Sequence, residues 1–267
     1  MNQVRNFFDD RPPRKDFWTL FKVSTHERLI QMQKGLLYMN SLDYFSKLKS
    51  EEPLPLRMDD LENVYGVLRA GSISQGYSTL TVKIGEAGQK MNLGPNSVVT
   101  AKFPSPKNFM LFCMGAFADD PDGTIPGQIE DKLYLDERFL NFGSHLLLIS
   151  NAPAFADRIS RAISSQKGIF GSEFFHDGFG LVEYKSLGNH LGPKGLYTKD
   201  VKFSWQRELR IAFGVEDHLL NQHGAYELNI GDLSDITQIV SVQALIDVPI
   251  QVKRRHYRMA NGKTELI

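Results

Sequence analysis

In the stretch Lys199–Phe213, "KDVKFSWQRELRIAF", Gln206, Glu208 and Arg210 stand at alternate positions, out of phase with Leu209, Ile211 and Phe213. Residues two apart in a strand share a face, so this spacing predicts three polar side chains projecting together, opposite an apolar face. A glutamate held by hydrogen-bonding neighbours can stabilise the positive charge that develops on a sugar carbon as a glycosidic bond breaks. The same logic suits a nicotinamide–ribose bond. Trp205, just before the triplet, would add an aromatic wall. The competing reading is a half-exposed strand whose Glu/Arg pair contributes under about 1 kcal/mol.

Other groups invite chemistry less directly. "RMDDLEN" gathers Arg57, Asp59, Asp60 and Glu62 after a proline-bearing loop. Such oxygens can bind a divalent metal or pair with the cations of a site, but the spacing fits no calcium loop and a solvated loop explains it as well. "VEYK" (Val182–Lys185) has the E-x-K form of one class of metal-dependent nucleases, with Asp157 or Asp177 as the upstream partner. An ordinary alternating strand accounts for it too. The histidines (His26, His145, His176, His190, His218, His223 and His256) show no chelating spacing, so no metal is expected. Ser144 is adjacent to His145, and neighbours within a strand face opposite ways, which argues against a direct dyad. No G-x-S-x-G elbow and no phosphate-binding glycine fingerprint occurs. Cys113, the single cysteine, sits in the apolar run "FMLFCMGAF" and reads as a core residue.

The elements that must position these groups follow from periodicity. The first 16 residues are charged and proline-bearing and predict a flexible segment; residues 17–267 read as a single domain. "FWTLFKV" predicts a buried strand, followed by a helix in which Ser24 and Glu27 form a capping box and Gly35 a stop. "LLYMN" predicts a strand. Residues 43–63 read as an irregular polar loop, and 118–128 as a second long loop. Short β-like segments span 64–68, 78–84, 97–103 and 109–117. "HLLLIS" predicts a strand, and "NAPAFADRISRAIS" a helix capped by Asn151 with Phe155, Ile159 and Ile163 inward. "GLVEYKS", "ELRIAFGV", "AYELNIG", "ITQIVSV" and "VPIQVKRRHY" supply late strands. The expected fold is α+β, a single domain of many short, mainly antiparallel strands with two or three flanking helices.

Composition narrows the partners. Lys+Arg and Asp+Glu both total 31, so no net field draws the chain to nucleic acid or anionic lipid. No apolar run approaches the roughly 20 residues a bilayer requires, and the opening residues lack the apolar core of a secretion signal. A cytoplasmic location is expected.

Gln206–Arg207–Glu208 resembles the Q/E-x-E motif of ADP-ribosyltransferases, whose final glutamate engages a ribose hydroxyl of NAD. The chain also resembles a large group of bacterial and phage proteins. The matching stretches are "LFKVSTHERLIQMQKGLLYMNSLDYF", "MLFCM", "LISNAPAFADRI", the late "LYTKDVKFSWQRELRI", which looks like that group's f.K…W..E.E.R pattern, and "IGDLSDI". The resemblance implies an ADP-ribosyltransferase-like fold that takes NAD as substrate and serves phage–host conflict. Glu208 would stabilise the transition state, Gln206 would hold the acceptor and Arg210 would fix Glu208. Lys22 would meet a phosphate, Trp205 would line the pocket, and Arg57, Asp60 and Glu62 would contribute to substrate binding. The chain departs from the transferase pattern at Lys22, where an arginine or histidine is usual, and "YSTLT" (Tyr77–Thr81) is a weak counterpart of the Ser-Thr-Ser strand. The alternative is a non-catalytic module that captures a nucleotide-like ligand or a protein on the same scaffold; a magnesium-dependent nuclease is a third reading.

Overall fold

The computed structural model describes residues 17–47, 62–70, 80–84, 88–95, 97–118, 128–130, 132–175, 178–187, 192–251, 257–260 and 263–266. The opening 16 residues, most of the 43–63 loop, the 119–127 loop, Arg57, Asp59, Asp60 and Asp177 lie outside them. The fold is α+β, built of many short, mainly antiparallel strands with helices interspersed. Two compact units divide it. One draws on Gly35–Met114 and Arg158–Gly231, the other on Lys15–Lys34, Gly115–Asp157 and Asp232–Ile267. Their segments alternate along the chain, so composition changes nowhere in the way a linker would require.

In the first unit, the strand Leu36–Ser41 pairs antiparallel with Tyr226–Asn229 on one side and with the start of Phe109–Ala118 on the other. The strand Glu208–Val215 follows beside Phe109–Ala118 and is flanked in turn by Ile169–Phe170 and Phe179–Leu181. Val64–Arg69 lies between Val98–Lys102 and Gly192–Pro193, and Glu183–Lys185 runs parallel to Thr198–Asp200. Aromatic side chains fill the core: Phe103, Phe109, Phe175 and Tyr197 are buried with Leu42, Leu111 and Leu196. The Tyr197 hydroxyl donates to the Phe175 carbonyl at 2.9 Å, which satisfies the one polar atom that ring brings inside. Gly35, at φ +101°, is a position only glycine suits, because a Cβ there would stand 2.3 Å from the Gly231 carbonyl oxygen.

In the second unit, Phe17–Ser24 pairs antiparallel with the end of Phe109–Ala118 and with His145–Ile149, which pairs with Thr237–Ser241. The Phe21 ring packs on Phe117 and Phe139, with centroids 4.8 and 5.3 Å away. Asn151 caps the helix Ala152–Ser165 as expected, its Oδ1 accepting from the Ala154 N–H at 3.0 Å. The cap of the helix His26–Gln33 differs from expectation. Ser24 still belongs to the strand, and Thr25 is the N-cap, accepting from the Arg28 N–H. The strand outlasts the apolar run by one residue because Ser24 pairs with His145. Elements not anticipated from periodicity include the short helices Leu42–Lys47 and Val242–Asp247, and a 3-10 turn over Val201–Gln206.

Candidate functional site

Lys199 leads to the centre of interest. It lies on the strand Thr198–Asp200, and Asp200 ends that strand by accepting from the Lys202 N–H at 3.0 Å. That cap starts the 3-10 turn, which Arg207 closes in the left-handed region at φ 45°, ψ 47°. A non-glycine residue there costs about 1–2 kcal/mol, and the neighbouring structure must hold it in place. The turn carries Gln206 back to Lys199, and the chain leaves Arg207 directly into the strand Glu208–Val215.

Gln206 therefore belongs to the turn, whereas Glu208 and Arg210 share a strand face. The expected polar face exists for two residues of the three, and the third reaches the same spot by a different route. Lys199 Nζ donates to Gln206 Oε1 at 3.0 Å and to Glu208 Oε2 at 2.7 Å. Arg210 Nε donates to Glu208 Oε1 at 2.7 Å, its Nη2 meets Glu62 Oε1 at 2.7 Å, and its Nη1 donates to the Leu196 carbonyl. The Tyr184 hydroxyl accepts from the Glu208 N–H at 2.9 Å, and the Lys199 ammonium stands 5.3 Å from the centre of the Phe203 ring. Two carboxylates thus face two cations, and all these residues lie in the first unit.

The cluster is sealed. Glu208 is 5% exposed and Arg210 1%, so neither belongs to a solvated strand surface; both faces of Glu208–Val215 are buried. Burial by itself would push the Glu208 carboxyl up, but the Arg210 and Lys199 charges outweigh it and hold the group far below the ordinary carboxylate range. Burial also works against the charged forms of Lys199 and Arg210, and Glu208 overcomes it in both, keeping their pKa values above the usual ones. The Tyr184 phenol is pushed well up, first by burial and then by the Glu208 charge. Near neutral pH Glu208 is ionised and Lys199 protonated, so what the cluster offers chemically there is fixed charge.

Of the other expected site residues, Glu62 joins the cluster, Trp205 shares the turn of Gln206, and Lys22 belongs to the other unit. Lys22 sits in the second unit on Phe17–Ser24, opposite Leu147. Trp205 is half-buried on the 3-10 turn. Glu62, expected in an acidic substrate loop, is instead the buried partner of Arg210. Glu183 and Lys185 pair with each other at 3.0 Å on a partly exposed strand, and Asp157 lies on the helix Ala152–Ser165. Ser144 and His145 do not face opposite ways as expected: the strand begins at His145, Ser144 lies before it, and Ser144 Oγ is 2.9 Å from His145 Nδ1. Among the described residues no group of three or more His, Cys, Asp or Glu is placed to hold a metal ion, and no helix is long and apolar enough to cross a membrane. Sequence reasoning missed Lys199, Tyr184 and Phe203. The signal for two of them was in plain view, since the late pattern carries a lysine and Lys199 precedes Phe203 by four residues.

An open cavity of about 620 Å³ lies at the opposite end of the same strand, where Glu216 and Asp217 follow Val215. Phe109, Phe170 and Phe174 line it with Glu173, Glu216 and Asp217. Asp217 is engaged by Lys107 Nζ at 2.7 Å and by Asn108 Nδ2 at 2.6 Å. At about 3.3 Å per residue, the strand separates this cavity from Glu208 by on the order of 20 Å. No family model, no curated protein and no solved structure matches the chain.

Proposed function

We propose that the protein acts by binding a small ligand and that the Glu208 cluster is an internal brace, not a reacting centre. The observation that carries this is the state of the carboxylate: buried, with each oxygen accepting from a buried cation. A catalytic carboxylate must touch substrate, and this one is enclosed by its own partners. The cavity at the other end of the strand suits a ligand better. Its lining of Phe109, Phe170 and Phe174 with the Glu173 carboxylate suits a compact organic cation with an apolar body, because an aromatic ring can attract positive charge by about 0.5–2 kcal/mol.

The test is a thermal-shift and saturation-transfer NMR series with benzyltrimethylammonium, benzoate, ADP-ribose and NAD. A saturable rise in melting temperature with the cation is expected, about 2.7 kcal/mol of stabilisation at a hundredfold excess over Kd. It should weaken in Phe170→Ala and Glu173→Gln and be missing with benzoate. No saturable binding of the cation would overturn the reading.

ADP-ribosyl transfer is the second reading. It is favoured by Gln206 and Glu208 sharing one lysine, so that the Q-x-E pair forms a single charged unit. In that case Glu208 would act as a fixed negative charge toward an oxocarbenium-like sugar. It requires NAD cleavage by the wild-type protein that disappears in a folded Glu208→Gln variant.

A further inference from the structure

The histidines show no chelating spacing along the chain, yet the second unit brings two of them together. Ser24 pairs with His145 across the antiparallel strands, and the chain then turns at Thr25 into the helix that begins with His26. That reversal lays the His26 ring against His145, with centroids 4.8 Å apart and planes at 61°. We propose that His26 and His145 form a two-imidazole site for a divalent cation of the copper, nickel or zinc class, completed by water.

Two observations carry the proposal. The first is distance. With metal–nitrogen bonds of about 2.1 Å, each ring centre stands about 3.2 Å from a shared ion. The observed 4.8 Å separation then corresponds to an N–metal–N angle of about 97°, between octahedral and tetrahedral values. A pair much closer or farther apart could not share one ion without backbone movement. The rings now meet edge to face, so sharing one ion requires a turn about χ2 of the exposed His26, and that torsion is broad and soft.

The second observation is the hydroxyl of Ser144, 2.9 Å from His145 Nδ1. With Nδ1–H donating to Ser144 Oγ, the lone pair of His145 sits on Nε2. Such an outer hydrogen bond is the device that fixes the tautomer and ring orientation of metal-binding histidines. The exposed His26 also opens the site to water. The site would clip the start of the helix His26–Gln33 to the start of the strand His145–Ile149, two places 119 residues apart in sequence.

Isothermal titration of the full chain with copper(II), nickel(II), zinc and magnesium salts in a non-chelating buffer tests the idea. One ion per chain is expected, copper binding more tightly than nickel or zinc and magnesium not at all. His26→Gln and His145→Gln should each weaken copper binding by more than roughly tenfold, while His218→Gln with His223→Gln leaves it unchanged. Electron paramagnetic resonance of the wild-type copper complex, which needs no variant to fold, should show two nitrogen ligands. Absence of binding, copper binding that survives in the folded double variant His26→Gln/His145→Gln, or a spectrum with a single nitrogen would overturn the proposal.

Discussion

Replacing Arg210 with methionine keeps much of the side chain's bulk and removes the one group that joins both buried carboxylates. In the wild-type protein Arg210 meets Glu208 through Nε and Glu62 through Nη2, each at 2.7 Å, with Lys199 as the second cation. The variant leaves two negative charges and one positive charge in a site that water does not reach. Removing one partner of a buried ion pair costs about 3–5 kcal/mol, because the other charge is left unpaired rather than because the pair itself is strong. For a chain of this size each kcal/mol shifts the melting temperature by about 2–4 °C, so the drop should be about 6–20 °C. Scanning calorimetry and urea unfolding of the variant measure it directly. Adding Glu62→Gln to Arg210→Met removes the orphaned charge and should return part of the loss, giving a coupling of about 0.5–3 kcal/mol in the double-mutant cycle. A loss under about 1 kcal/mol, the scale of solvated surface pairs, with no coupling would refute the claim that this cluster is dry and mutually dependent.

Three further outcomes follow from the same structure. Because Glu208 titrates lower in the folded chain than in the unfolded one, its stabilisation is complete above the unfolded value of about 4.3 and declines as pH falls toward the folded value. Lys199 titrates higher when folded, so its stabilisation is complete below about 10.4 and declines as pH rises through the folded value. Unfolding free energy measured by urea titration should therefore fall less steeply below pH 4 in Glu208→Gln than in wild type. Thr25→Ala should cost about 1 kcal/mol and Ser24→Ala much less, since Thr25 is the cap; equal losses in chemical denaturation would restore Ser24 to that role. Gly35→Ala should lower the melting temperature sharply, because the added Cβ would meet the Gly231 backbone and no flexible side chain could yield; a shift within error would show that the turn relaxes freely.

Most of the strands and the two longer helices can be read from the sequence, because each leaves a local signature. "HLLLIS" is a run too short and too apolar for a solvated element, and "NAPAFADRIS" places its cap before an apolar stripe at helical spacing. It also singled out Glu208 and Arg210 as one unit, since a strand's two-residue period is a local property. The 3-10 turn escaped because it depends on Asp200 accepting from the Lys202 N–H and on Arg207 holding a left-handed conformation, neither of which periodicity records. Only tertiary structure decided whether the polar face met solvent or core. Solvent exposure is fixed by what packs on top, and Glu62 arrives there from a distant segment, Tyr184 and Lys199 from other strands. The pairing of His26 with His145 was invisible for the same reason, since strand register rather than spacing along the chain sets it.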